Sequence, residues 1–109
     1  MQFINNAPVY KLIRVTGPQH NLLVLQFSGA AVAGSVRLEA LDATKECSNP
    51  IEGQEVLGNV AKAIEDLKAQ SGKQYFLEAI QYMAGDSHPA EVYYEMTKEI
   101  IRRIELQPD

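Results

Sequence analysis

The sequence predicts an α+β fold, with a sheet in the first part of the chain and helices in the second. Short runs rich in β-branched residues dominate the first 41 residues. From about residue 54 onward, apolar residues recur with the 3.6-residue period of a helix. A polar loop between residues 42 and 53 separates the two patterns. We therefore expect a three-stranded antiparallel meander followed by two or three helices packed on one face of the sheet.

Three segments are predicted to form the meander. Residues 9–15 place Val9, Ile13 and Val15 on one face and Tyr10 and Leu12 on the other, which indicates a partly covered strand. Residues 22–27 form a second strand, and a turn over residues 17–21 joins the two as an antiparallel hairpin. Residues 35–41 alternate apolar and polar side chains, which favours a half-exposed third strand over a helix.

Two segments predict amphipathic helices. The first begins near residue 54 and ends at Ser71, with Gly72 in the left-handed position that often follows a helix. Its apolar stripe comprises Val56, Leu57, Val60, Ala61, Ile64 and Leu67. The second spans residues 87–105, with Asp86 or Ser87 as the capping residue. Its apolar stripe comprises Tyr93, Met96, Ile100 and Ile104, flanked by Val92 and Ile101.

Residues 74–84 are ambiguous between helix and strand. A helix separates the polar residues Gln74, Glu78 and Gln81 from the apolar ones more cleanly, so we favour a helix here. Aromatic and β-branched residues keep the strand as an alternative. In that case the element order becomes βββαβα, with a four-stranded sheet.

Length and charge restrict the class of protein. A chain of 109 residues is predicted to form a single domain, residues 1–109. The net charge is −4. Residues 1–51 hold four basic and three acidic side chains, whereas residues 52–109 hold six basic and eleven acidic ones. Nucleic-acid-binding domains carry a concentrated basic face, so this composition argues against a nucleic-acid partner.

The chain has the features of a cytoplasmic protein. Cys47 is the only cysteine, so no intramolecular disulfide is expected. The N-terminus lacks a basic stretch followed by an apolar run, and no apolar run approaches the ~20 residues that span a bilayer. We expect no signal peptide and no membrane association.

No motif in the chain resembles the signature of a known family, and no residue pattern predicts catalysis. Asp86, Ser87 and His88 are the residue types of a nucleophilic triad, but adjacent side chains diverge, so helix capping explains them better. His20, His88 and Cys47 do not have zinc-ligand spacing. Residues 29–35 lack the lysine of a phosphate-binding loop. We predict no catalytic residue, no metal and no cofactor.

The predicted second helix carries a row of carboxylates. Glu91, Glu95 and Glu99 recur every four residues on its polar face, and Tyr94 lies at the edge of its apolar stripe. Glu99 and Arg103 are predicted to form an ion pair. An exposed tyrosine beside carboxylates is typical of protein interfaces. These three glutamates and Tyr94 are our candidate partner-binding residues, although a solvated helix face explains the same pattern.

The function hypothesis is a small, acidic, non-enzymatic protein-binding module with a basic protein partner. One form of it is an immunity-type or antitoxin-type inhibitor of a nuclease toxin. The alternative is a small-molecule-binding domain or minor enzyme, with a pocket between sheet and helices lined by Tyr10, Tyr75, Tyr82 and Tyr93. A homodimer formed through the strands is a third option. A deep cleft in which Cys47 or a histidine met a buried carboxylate would contradict the non-enzymatic hypothesis.

Overall fold

The computed structural model describes residues 2–16, 19–28, 36–41, 50–86 and 89–106. Within these ranges five strands and two helices form an α+β structure with one mixed sheet. In chain order the elements are β1 (Gln2–Asn6), β2 (Val9–Thr16), β3 (Gln19–Ser28), β4 (Arg37–Ala40), α1 (Gly53–Ser71), β5 (Phe76–Tyr82) and α2 (Val92–Leu106).

The strand order in the sheet is β1-β2-β3-β5-β4. The first three strands are antiparallel neighbours in chain order, so the hairpin predicted from residues 9–27 is confirmed. β5 pairs antiparallel with β3. β4 lies at the opposite edge from β1 and pairs parallel with β5, because α1 carries the chain from β4 across one face of the sheet to β5.

The predicted meander is wrong in its third strand. Residues 37–40 do form a strand, but β5 lies between this strand and β3. The prediction also missed β1, an antiparallel partner of β2. The polar Gln2, Asn5 and Asn6 give β1 no apolar alternation that a sequence pattern could detect. Residues 19–21, expected in the turn, belong to β3.

The helix favoured for residues 74–84 is also wrong, since residues 76–82 form β5. A register shift in the β3–β5 ladder pairs Leu77 with Phe27 and Ile80 with Leu25. This irregularity places Leu77 and Ile80, three residues apart, on the same side of the sheet. An i, i+3 pair of apolar residues is a helical signature, which explains why the pattern favoured a helix.

Both helices pack on the same face of the sheet and enclose one hydrophobic core. From the strands, Leu12, Leu23, Leu25 and Ile80 are fully buried. Met96 and Ile100 of α2, with Val56 and Val60 of α1, cover them. The apolar stripe predicted for α2 is confirmed, except that Ile104 is only partly buried. In α1, Ala61 of the predicted stripe is exposed and Ala63 is buried instead.

The ends of α1 follow the sequence signals, whereas the start of α2 does not. Gly72 follows α1 with a φ of 76°, and its N–H donates to Lys68 O at 2.7 Å, which confirms the predicted left-handed end. α2 begins at Val92 rather than at residue 87, after a turn in which the N–H of Tyr93 donates to Ala90 O at 3.0 Å. Ser87 and His88 lie outside the described residues.

Candidate functional site

The candidate partner-binding residues lie on the side of the two helices that faces away from the sheet. Glu95 is in the first turn of α2, and Glu91 immediately precedes that helix. Both side chains are exposed. Within the described part of the chain, neither forms a salt bridge. These two carboxylates therefore present negative charge at the surface without a direct ion pair in the described part of the chain.

Glu99, the third member of the row, has a different environment. Arg103 Nε donates to Glu99 Oε2 at 2.7 Å and Arg102 Nη2 donates to the same oxygen at 2.5 Å, so the predicted Glu99–Arg103 pair is confirmed. The Glu99 side chain is only 21% exposed. Burial alone would raise the pKa of this carboxyl, but the two arginines hold it below its usual value. Its charge is thus neutralised within α2.

Tyr94 joins the two helices. Its hydroxyl donates to Asp66 Oδ2 of α1 at 2.5 Å, and this hydrogen bond is the main reason that the pKa of Tyr94 is raised. The ring lies between two lysines, with Lys98 Nζ 5.2 Å and Lys62 Nζ 5.8 Å from its centroid. Cation–π contacts at such distances hold the ring in place. Tyr94 thus contacts α1 rather than standing clear of the surface.

A shallow depression lies between the starts of the two helices. Its volume is about 460 Å³, and it is lined by Glu55, Gly58, Asn59, Pro89, Ala90 and Glu91. Among the described residues that line it, the two glutamates are the ionisable ones. Glu55 is in the first turn of α1, where a carboxylate also interacts favourably with the helix dipole. The depression brings Glu55 of α1 near Glu91, which precedes α2, and sequence spacing could not show this proximity.

A second polar centre lies where β3 begins and β5 ends. The side chain of Asp86 is 2% exposed. Its Oδ2 atom accepts the backbone N–H of Leu22 at 2.7 Å and the hydroxyl of Tyr93 at 3.1 Å. Asp86 was predicted to cap the second helix; instead it joins β3 to α2 through side-chain hydrogen bonds. A carboxylate this buried requires such donors, because its desolvation would otherwise be costly.

His20 lies beside this buried carboxylate. It is in β3 rather than in the predicted turn, and its side chain is 61% exposed. Its Nε2 atom is 3.6 Å from Asp86 Oδ1. Next to it Asn21, which is 2% exposed, accepts a hydrogen bond from Arg14 at 3.1 Å. Neither His20 nor Asp86 lines the depression between the helix starts or the groove between α1 and β5.

A groove lies between α1 and the start of β5. Its volume is about 540 Å³, within the range of ligand pockets. Leu57, Ile64 and Leu77 lie along it, and Glu65 and Lys68 supply charges. Of the four tyrosines expected to line a pocket, only Tyr75 lines this groove. Tyr82 and Tyr93 are buried in the core, and Tyr10 stacks with other aromatic rings.

Among the residues that the structure describes, no three His, Cys, Asp or Glu side chains converge to hold a metal ion. Cys47 and His88 lie outside those residues, as do residues 29–35. In the same described part of the chain, neither helix has the length and apolar character needed to cross a bilayer.

No family model, curated protein or solved structure matches this chain.

Proposed function

We propose that this protein is a non-enzymatic binding module that presents an acidic surface to a basic protein partner. We define the acidic surface as Glu55, Glu91 and Glu95. The observation that supports this proposal most directly is the exposure of these three carboxylates, two of which, Glu55 and Glu91, line one depression between the starts of the helices. Because opposite charges steer partners together at long range, such a surface favours fast association with a basic protein.

The structure narrows the set of residues that we assign to this interface. Glu99 is neutralised by Arg102 and Arg103, so it contributes little field outside the helix. Tyr94 remains a candidate contact through its partly exposed ring, but its hydroxyl already donates to Asp66. Glu91 and Glu95 are the members of the predicted row that we place at the centre of the interface.

One specific form of the proposal is an immunity-type or antitoxin-type inhibitor that neutralises a basic nuclease in the cytoplasm. The net charge of −4 and the concentration of acids in residues 52–109 support it. A nuclease needs a basic surface to bind phosphates, and an acidic protein can cover that surface. We expect an inhibitor of this kind to bind its nuclease with high affinity, and we expect that affinity to fall as the salt concentration rises.

The experiment compares three immobilised proteins for capture of basic proteins from the source organism at several salt concentrations. They are the wild type, the double variant Glu91→Gln/Glu95→Gln, and the control Glu39→Gln/Glu78→Gln. The control changes the net charge equally, at one residue of β4 and one of β5. We expect a captured protein to be lost in the helix variant and kept in the control. Capture that is equal in all three, or that does not weaken with salt, would contradict the proposal.

The alternative is a small-molecule-binding domain, and the groove between α1 and β5 is the observation that favours it. Its apolar lining with Lys68 nearby suits a ligand with an apolar body and an anionic group. A ligand at 100 times its dissociation constant adds ~2.7 kcal/mol of stability, which thermal-shift screening detects. The variant Ala61→Phe, at an exposed lining position, should abolish a shift that arises in the groove.

A further inference from the structure

The two edges of the sheet differ in how they are protected from other strands. β4 has only four residues, and its Arg37 and Glu39 are exposed. β1 has five residues, Gln2-Phe3-Ile4-Asn5-Asn6, without a charge or a proline among them. Natural sheets shield their edges with short strands, charges or proline. β4 carries two exposed charges, whereas β1 carries neither a charge nor a proline.

The backbone N–H and C=O groups of β3 point alternately to its two neighbouring strands, and their directions determine those of the backbone groups in β2 and β1. The N–H of Leu22 is directed to Asp86, on the β5 side of β3. The N–H of Phe27 donates to Pro8 O, on the β2 side, at 3.1 Å. Because these directions alternate along a strand, the odd-numbered residues of β3 bond to β2.

The backbone of Phe3 consequently points away from the sheet. Leu23 is opposite Leu12, so these two residues exchange backbone hydrogen bonds across β2 and β3. The backbone groups of Leu12 are therefore directed to β3 and not to β1. Phe3 is opposite Leu12 in the β1–β2 ladder, so the N–H and C=O of Phe3 are directed outward.

A row of aromatic rings ends at this same residue. Phe3 stacks on Tyr10 with 6.2 Å between ring centroids, Tyr10 lies 6.0 Å from Phe27, and Phe27 lies 5.5 Å from Tyr75. The row crosses the sheet on the side that the helices cover. Arg103 of α2 lies over the Phe3 ring, 5.8 Å from its centroid. Phe3 is only partly buried, so the row reaches the surface at the edge of the sheet.

We propose that β1 pairs with β1 of a second copy of this chain, antiparallel and centred on Phe3. A two-fold axis at Phe3 makes the contact self-complementary and closed, so the product is a dimer and not a filament. The N–H of each Phe3 then donates to the C=O of Phe3 in the other copy. The two rings become cross-strand neighbours and continue the aromatic row, while Ile4 lies opposite Gln2 on the uncovered face.

The short ladder makes this a weak dimer. Pairing of one five-residue edge buries less surface than the ~1,200 Å² of stable interfaces, so we expect a dissociation constant of about 0.1–1 mM. β1 itself carries no charged side chain, so the strand adds no repulsion between copies. This proposal is independent of the acidic surface, because β1 and the starts of the two helices do not share residues.

The test is sedimentation of the full chain from about 10 μM to 1 mM. The wild type should shift from its monomer mass of 12.1 kDa towards twice that value. The matched variants Phe3→Ala and Phe3→Pro both lose the ring, but only proline lacks the N–H. Phe3→Ala should dimerise more weakly than the wild type, and Phe3→Pro should remain monomeric at every concentration, with circular dichroism confirming that both are folded.

A second readout uses the unmodified protein. In NMR spectra recorded over the same concentrations, the amide of Phe3 should shift, and that of Leu38 in β4 should not. A wild type that stays at the monomer mass up to the highest concentration would overturn the proposal. So would a dimer whose concentration-dependent shifts lie in β4, or one that Phe3→Pro leaves unchanged.

Discussion

The carboxylate of Asp86 accepts the backbone N–H of Leu22 at 2.7 Å, although the two residues are 64 positions apart. β5 ends at Tyr82, which is opposite Leu23, so the next donor of β3 has no backbone partner in β5. The Asp86 side chain supplies the acceptor at that position. It also accepts the hydroxyl of Tyr93, a residue with no exposed surface, and so connects the sheet to α2.

Replacing Asp86 by alanine should therefore lower the free energy of unfolding by about 2–4 kcal/mol, because the part-buried N–H of Leu22 and the buried hydroxyl of Tyr93 lose their shared acceptor. Urea unfolding measures this change. Glu39→Ala, at an exposed residue of β4, serves as the control and should change stability by no more than about 0.5 kcal/mol. An equal effect of the two substitutions would show that the Asp86 contacts contribute little.

Tyr93→Phe isolates one of the two contacts, because it removes the hydroxyl and keeps the buried ring. Its cost should be about 1 kcal/mol. In the double variant Asp86→Ala/Tyr93→Phe, the decrease in the free energy of unfolding should be smaller than the sum of the two single decreases. Both substitutions remove the same hydrogen bond, so its loss is counted once. Full additivity would contradict the pairing.

Two glycines should respond in opposite ways to the same substitution. Gly58 lies inside α1, and a Cβ there would meet no atom within 4 Å. Gly58→Ala should raise the free energy of unfolding by about 0.5–1 kcal/mol through helix propensity. Gly72 has a φ of 76°, which strains a residue with a side chain. Gly72→Ala should therefore lower the free energy of unfolding by roughly 1–2 kcal/mol. Thermal unfolding of the two variants distinguishes them, and a loss of stability in both would contradict the open space at Gly58.

Stability should fall in alkali partly through Tyr75. Burial, together with a hydrogen bond to Glu105, raises the pKa of Tyr75 from 10.0 to about 12. A hydroxyl whose pKa is higher in the folded state contributes stability that is complete below pH 10 and is lost as the pH rises to 12. Unfolding curves between pH 9 and 12 should therefore be less pH-dependent in Tyr75→Phe. Parallel curves for the variant and the wild type would disprove this role.

Glu99 should contribute to stability in the opposite part of the pH scale. Although burial acts against it, the pairing with Arg102 and Arg103 lowers the pKa of Glu99 below its ordinary value of 4.5. A carboxyl with a lowered pKa stabilises the fold above its unfolded pKa and loses that contribution as the pH falls through the folded one. Glu99→Gln should cost about 0.5–1 kcal/mol at neutral pH and nothing in strong acid. Unfolding at pH 7 and pH 2 measures both values.

The sequence predicted the elements whose signal is local. The apolar stripes of both helices, the left-handed end of α1 at Gly72 and the Glu99–Arg103 pair follow from spacing along one helix. The β2–β3 hairpin follows from two apolar runs and a short connection. Each of these features depends on residues close in sequence, so periodicity and turn chemistry were sufficient.

The candidate site was predictable only in part. Spacing identified Glu91, Glu95 and Glu99 as one row, but all three look alike in sequence. Contacts with Arg102 and with Arg103 distinguish Glu99 from the other two. The proximity of Glu55 to Glu91 depends on how α1 and α2 pack, which no local pattern records.

The sequence by itself determined an α+β chain with two amphipathic helices, a hairpin and an excess of acids in its second half. Only the tertiary structure decided that β5 lies between β3 and β4, because strand order depends on pairing between segments distant in sequence, which no local pattern records. It also decided that Asp86 is an internal acceptor for β3 and not a helix cap. Local signals reflect the conformation of a few neighbouring residues, whereas strand order and buried polar contacts depend on residues that only the folded chain brings together.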